Sequence, residues 1–156
     1  MTDIQPGSEP WIVEQRWDLT YRHRADEAAA QFFRTLRDEG RLIGTRCPKC
    51  ERVLAPPRTF CDRDFCDTDG FVDLGSEGTI ELFTIVYHRI QGLPEPPYAI
   101  AYVRPDGADT AFVNFVRGID LSDQPTALAA LAIGNRARIE FAEERTGSMT
   151  DFWFSV

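Results

Sequence analysis

The chain has 156 residues, 43% hydrophobic and 27% charged, a balance that suits one compact domain or a small core carrying a short appendage. Its net charge of −8 provides no bulk positive field to collect phosphate, which disfavours non-specific nucleic-acid binding. No apolar run reaches the roughly 20 residues of a membrane span, and the opening MTDIQPGSEP lacks the basic and apolar regions of a signal peptide, so a cytoplasmic protein is the default expectation.

Residues 1–24 read as an N-terminal arm. The first ten are polar and include Pro6, Gly7 and Pro10, the composition of a loosely tethered segment. Period-2 alternation follows, with Trp11, Val13, Trp17, Leu19 and Tyr21 facing one way and Glu14, Arg16, Asp18, Thr20 and Arg22 mostly the other. An extended segment with two tryptophans must cover something, either the chain's own body or a partner. Trp11 and Trp17 are therefore candidates for a partner interface. His23, within Arg22-His23-Arg24, reads as a solvated surface residue.

Over residues 25–40 the period becomes helical. Ala25, Ala28, Ala29, Phe32, Phe33 and Leu36 make one stripe, Arg34, Arg37 and Asp38 lie off it, and Gly40 is placed to end the helix. The stripe packs on its own chain or serves as a docking element, in which case Phe32 and Phe33 carry the contact.

Residues 41–70 hold all four cysteines, Cys47, Cys50, Cys61 and Cys66. In a reducing compartment such a cluster reads as a metal site before it reads as disulfides. Each close pair makes a knuckle presenting two thiolates, and the ten-residue link allows a hairpin that brings the knuckles together around tetrahedral Zn²⁺. Arg46, Lys49 and Arg52 partly offset the negative charge of a four-thiolate centre. The second knuckle, CDRDFC, is wider than the usual two-residue gap. Iron in a rubredoxin-like site and a redox-active Cys47–Cys50 pair are the alternatives. A closed four-ligand site leaves no position for substrate, so zinc here is structural rather than catalytic.

Residues 71–156 read as strands divided by turn signals: Gly78–Arg89, Tyr98–Val103, Thr110–Gly118, Arg136–Glu143 and Met149–Val156, with a short helical turn over Thr126–Ala132. In the last strand Phe152 and Phe154 share one face and Trp153 takes the other. The fold class is mostly β: a helix, a rubredoxin-like zinc ribbon, then a five- to six-stranded OB-fold barrel. No phosphate loop, zinc-protease, nucleophile-elbow or dinucleotide motif occurs. His88 stands beside the Pro-rich loop 91–97, where barrels of this kind bind ligands, but no nucleophile with a paired base accompanies it, and independent catalysis is not expected.

Phe32-Phe33, Leu36, Cys47-Pro-Lys-Cys50, Pro56-Pro57-Arg58, Gly78-Thr-Ile, Pro96-Pro97-Tyr98 and Ile133–Phe141 follow one another in an order that resembles the domain-of-unknown-function-35 family. These are zinc-ribbon/OB-fold proteins also called acyl-CoA-associated, and the resemblance runs from about residue 25 to residue 154. It implies structural zinc and a non-catalytic accessory subunit of a thiolase-fold enzyme. That enzyme would be a thiolase, acyltransferase or retro-aldolase acting in breakdown of an aromatic or steroid acyl-CoA. The complex would be a hetero-oligomer with two or more of each chain, the accessory chain stabilising the partner and helping bind CoA. On that footing Arg58 and Arg89 are candidates for the CoA phosphates, and Tyr98 and Phe83 for the walls of an acyl or adenine pocket. Two other readings compete: a single-stranded nucleic-acid module, which needs basic and aromatic residues interleaved on its strands, and a free-standing acyl-CoA hydrolase using His88 or a carboxylate.

Overall fold

Asp26 opens the first helix among the described residues. In the computed structural model, which describes residue 22 and residues 24–156, its carboxylate accepts the Ala29 N–H at 2.8 Å and caps helix α1, Glu27–Glu39. Residues 1–21 and 23 of the arm, with Trp11, Trp17 and His23, lie outside the described residues. Gly40, at φ 62°, ends the helix and returns its N–H to the Leu36 carbonyl. The expected stripe forms, but Phe32 is not a surface contact: it is 2% exposed and stacks on Phe112 with ring centroids 5.5 Å apart. The reason is that α1 lies on the barrel, so the centre of its apolar face is consumed internally. Phe33, edge-on to Phe32, is only partly covered.

After the helix come β1 (Ile43–Arg46), β2 (Val53–Leu54), β3 (Phe60–Cys61), β4 (Cys66–Asp67) and β5 (Asp69–Asp73). β1 is the centre of a three-stranded antiparallel sheet in the order β2-β1-β5, and β3 and β4 form a small hairpin. This sheet runs through Asp73, beyond the 41–70 span. Gly44 is required where β1 meets β2, because a Cβ there would stand 2.8 Å from the Leu54 carbonyl oxygen.

The remaining strands are β6 (Glu77–Val86), β7 (Tyr98–Pro105), β8 (Phe112–Val116), β9 (Arg136–Phe141) and β10 (Phe152–Ser155), with helix α2 (Gln124–Ala130) between β8 and β9. They close into a barrel in the order β10-β8-β7-β6-β9. All neighbours are antiparallel except β8 and β10, which run parallel with Phe154 opposite Val116. The mostly β fold, with helix, ribbon and five-stranded barrel in that order, is the one expected. Phe152 and Phe154 of β10 share the inward face as the sequence pattern promised and are buried beside Phe112, and in β7 Ala99, Ala101 and Val103 point inward. Buried Asn114 fastens the closing strand by donating from Nδ2 to the carbonyls of Met149 (2.8 Å) and Phe152 (2.9 Å).

One core runs through all three parts. Phe32 and Leu36 of the helix, Leu42, Ile43 and Ala55 of the ribbon, and Ile80, Val103 and Leu131 of the barrel belong to the same buried cluster. The ribbon is also pinned by polar bonds to the β7–β8 turn. Val53 exchanges bonds with Asp109, its N–H to Oδ2 and its carbonyl from the Asp109 N–H, both 2.8 Å; Ala55 does the same with the Thr110 hydroxyl. Among the described residues no helix is long and apolar enough to cross a membrane.

Candidate functional site

The metal-binding residues are brought together by two tight turns. In the first, the Glu51 N–H donates to the Cys47 carbonyl at 3.0 Å and Glu51 takes a positive φ of 61°. That turn aims backbone N–H groups at sulfur, Lys49 N lying 3.4 Å and Cys50 N 3.5 Å from Cys47 Sγ. The second turn follows Cys61 and ends at Cys66, which faces Cys61 across the β3–β4 hairpin. Sulfur atoms from the two turns approach as metal ligands do: Cys50 Sγ is 3.8 Å from Cys61 Sγ, and Cys47 Sγ is 3.7 Å from Cys66 Sγ. Two sulfurs bound to one tetrahedral Zn²⁺ would be separated by about 3.8 Å, given a Zn–S bond near 2.3 Å.

A residue that sequence reasoning passed over joins them. Cys47, Cys50, Cys61 and Asp64 place their donor atoms within 4.8 Å of one another, with Asp64 Oδ2 3.5 Å from Cys47 Sγ and 3.8 Å from Cys61 Sγ. The signal was present, since Cys61-x2-Asp64 repeats the spacing of Cys47-x2-Cys50, but a count of four cysteines drew attention away from a carboxylate.

The electrostatics are those of a site made for a cation. The Cys47 thiol is held down at about 7, first by the Cys50 N–H and then, against burial, by the Lys49 N–H. The Asp64 carboxylate pushes the Cys50 thiol up to about 12, and burial adds to it. Burial and the neighbouring Cys47 sulfur also raise Cys66. Several acids converging on one point cannot all ionise unless a positive charge joins them. Soft thiolates at tetrahedral spacing fit Zn²⁺, and a closed set gives that ion a folding role.

The residues expected to meet CoA fall in two places. Arg58 lies in the ribbon, its backbone fixed by Thr45, whose hydroxyl both donates to the Arg58 carbonyl (2.8 Å) and accepts the Arg58 N–H (3.0 Å); its side chain is exposed. Arg89 and Tyr98 flank the loop between β6 and β7, where Arg89 pairs with Glu95 at 3.1 Å. Arg58 thus belongs to the ribbon, which is pinned to the β7–β8 end of the barrel through Val53 and Ala55, and the other two are at the opposite end of β7. A strand of eight residues separates those ends by roughly 25 Å. Tyr98 is 7% exposed, packs edge-on to Phe115, and keeps a buried hydroxyl with no hydrogen-bond partner among the described residues. His88 is exposed, beyond the end of β6.

A further feature is on the barrel's outer face. Leu82, Tyr102 and Val113 stand directly opposite one another on β6, β7 and β8, and are 54%, 45% and 44% exposed. The next outward rung is Thr84, Ile100 and Phe115. The nearest outward cation on β7, Arg104, is already bonded to Glu81 at 2.7 Å.

A rubredoxin-like metal ribbon set between a helix and a closed five-stranded barrel defines the class of protein. Residues 34–72 match the family model described as ChsH2, rubredoxin-like zinc ribbon domain. Among solved structures, the chain is similar to one described as the Ltp2-ChsH2(DUF35) aldolase, with 21% identity over 86% of this chain and 96% of that one and a TM-score of 0.61. It is also similar to a DUF35-family protein of unknown function from Sulfolobus solfataricus, with 22% identity over 84% of each chain and a TM-score of 0.60. No curated protein matches it. Residues 34–72 are thus similar to a rubredoxin-like zinc ribbon whose metal is structural zinc, and the chain as a whole shares the fold of the two DUF35 structures.

Proposed function

We propose that this chain is a non-catalytic, acyl-CoA-binding accessory subunit of a thiolase-fold enzyme, stabilising that partner and helping hold its substrate. The observation that carries the reading is the outward apolar face of β6, β7 and β8. Monomeric proteins rarely turn a contiguous row of large apolar side chains to water, and such a row marks a protein interface. The likeness to the DUF35 chain of an aldolase supports the choice of partner. The closed metal set agrees with a chain that leaves chemistry to its partner. Acyl-CoA would meet this chain at the loop between β6 and β7, where exposed Arg89 would exchange Glu95 for a phosphate and Tyr98 would wall the site. Breakdown of an aromatic or steroid acyl-CoA in the cytoplasm, by a complex with two or more of each chain, completes the proposal. The same face argues against a single-stranded nucleic-acid module, since the row of Leu82, Tyr102 and Val113 carries no free cation beside its one aromatic ring.

The test is co-expression with thiolase-fold proteins from the same genome. A stable hetero-oligomer is expected, with the partner's acyl-CoA activity lost or sharply reduced when this chain is omitted. A chain that stays monomeric beside each of them, while the partner works fully alone, would rule the reading out.

A further inference from the structure

The ribbon's two turns are copies of each other, and the copy assigns a ligand. Cys61 repeats Cys47 fourteen positions on. The Phe65 N–H donates to the Cys61 carbonyl at 3.0 Å as the Glu51 N–H does to Cys47, also at 3.0 Å. Phe65 and Glu51 both take the left-handed conformation, at φ 50° and 61°, and both are residues that rarely do so. The residue before each of them is Asp64 in one turn and Cys50 in the other. The residue after each is Cys66 and Arg52, and these also correspond: the Cys47 N–H donates to the Arg52 carbonyl at 2.9 Å, and Cys61 pairs with Cys66 in the hairpin ladder. Backbone geometry therefore puts Asp64 where the first turn puts Cys50. It puts Cys66 where the first turn has an arginine, whose side chain points away to Asp62 at 3.5 Å.

We infer that the fourth zinc ligand is the Asp64 carboxylate, giving a three-cysteine, one-aspartate centre in place of the expected four-cysteine one. The distances agree with this assignment. An oxygen about 2.0 Å from Zn²⁺ and a sulfur about 2.3 Å from it, at a tetrahedral angle, stand about 3.5 Å apart. Asp64 Oδ2 stands 3.5 Å from Cys47 Sγ and 3.8 Å from Cys61 Sγ. Asp64 is also a member of the mutually close set of donors, whereas Cys66, although 3.7 Å from Cys47, stands outside it. Charge does not separate the two sets, because a carboxylate and a thiolate each contribute one negative charge. Softness does: the aspartate set should hold Cd²⁺ less tightly relative to Zn²⁺ than a four-thiolate set.

The experiment is X-ray absorption at the zinc edge on the full-length protein as purified, with two variants beside it. Three sulfurs and one oxygen are expected in the wild type. Cys66→Ser should retain one zinc per chain with an unchanged spectrum, and Asp64→Cys should convert it to four sulfurs and raise the preference for Cd²⁺ by tenfold or more. Four sulfurs in the wild type would overturn the assignment, as would loss of zinc from Cys66→Ser. The wild-type spectrum decides the matter even if a variant fails to fold.

Discussion

Asp151 illustrates how a single side chain can fix the loop that leads into the closing strand β10. It is 4% exposed, and its carboxylate accepts N–H bonds from Thr146 (2.8 Å), Gly147 (2.6 Å) and Ser148 (3.0 Å). Burial by itself would raise its carboxyl, but these donors outweigh burial and hold it below the usual carboxylate range. With the folded value lowered, the stabilisation is fully present above the unfolded value, about pH 4, and is lost as pH falls through the folded one. Asp151→Asn should destabilise the protein by about 2 kcal/mol at neutral pH. The gap to wild type in urea unfolding should narrow below pH 4; a gap that stays constant down to pH 2 would show that ionisation is not what the loop uses. Phe32 makes a second case. Its truncation to alanine would empty the space against Phe112 and cost about 4 kcal/mol, measurable as a large fall in Tm. A change confined to partner binding, with Tm unmoved, would restore Phe32 to the surface role first expected of it. Periodicity alone placed Phe32 and Phe33 on one stripe. Which of them is buried depends on Phe112, eighty residues further along the sequence, and that contact leaves no local trace.

Among the elements, long alternating strands were legible and very short ones were not. β10 showed its faces in the sequence, Phe152 and Phe154 on one side and Trp153 on the other, whereas β7 is apolar on both faces through Val103 and showed only that it is a strand. β2, β3 and β4 have two residues apiece and carry no period to read. β6 stops at Val86, short of the expected Arg89, because Val86 has the last partner available, Tyr98. The ribbon's outer half depends on the metal for the same reason that its strands were hard to see. Its buried cluster consists of Cys47, Leu54 and Cys61 with Cys50 and Cys66 packed against them, so nearly all of its interior is cysteine sulfur, most of it bound to the metal. Take away zinc and one leucine remains to hold about twenty residues, too little to offset their ordering entropy. Chelation should therefore strip hydrogen-exchange protection from residues 47–68 while β6, β7 and β8 stay protected. The sheet end at Leu42 and Ile43 should also hold, since those side chains belong to the main core. Protection retained over residues 47–68 in zinc-free protein would show the metal to be dispensable.

For the whole molecule the question is what its surface is prepared to meet. The acidic total excluded little beyond bulk phosphate binding, and the sequence could not show that Leu82, Tyr102 and Val113, drawn from three strands, would form one outward row. That row arises from register, and register across a bulge between Ile80 and Leu82 is set by the closed barrel rather than by any stretch of local sequence. A row of this composition makes a specific demand on the complex. Its binding energy should come from desolvating apolar surface, with Tyr102 as the central anchor, so Tyr102→Ala should weaken association with the proposed thiolase-fold subunit by about 2 kcal/mol, roughly thirtyfold. Because the side chain is half exposed in the free chain, Tm should move little, which separates loss of docking from loss of folding. Association should also depend only weakly on salt. A nucleic-acid surface would behave oppositely, with affinity falling by orders of magnitude between low and moderate salt as counterions are released. Titrating the partner subunit at two salt concentrations, with wild type and Tyr102→Ala in parallel, therefore tests the face and the class of ligand together. A steep salt dependence, or no effect of the substitution, would move the interface off β6, β7 and β8.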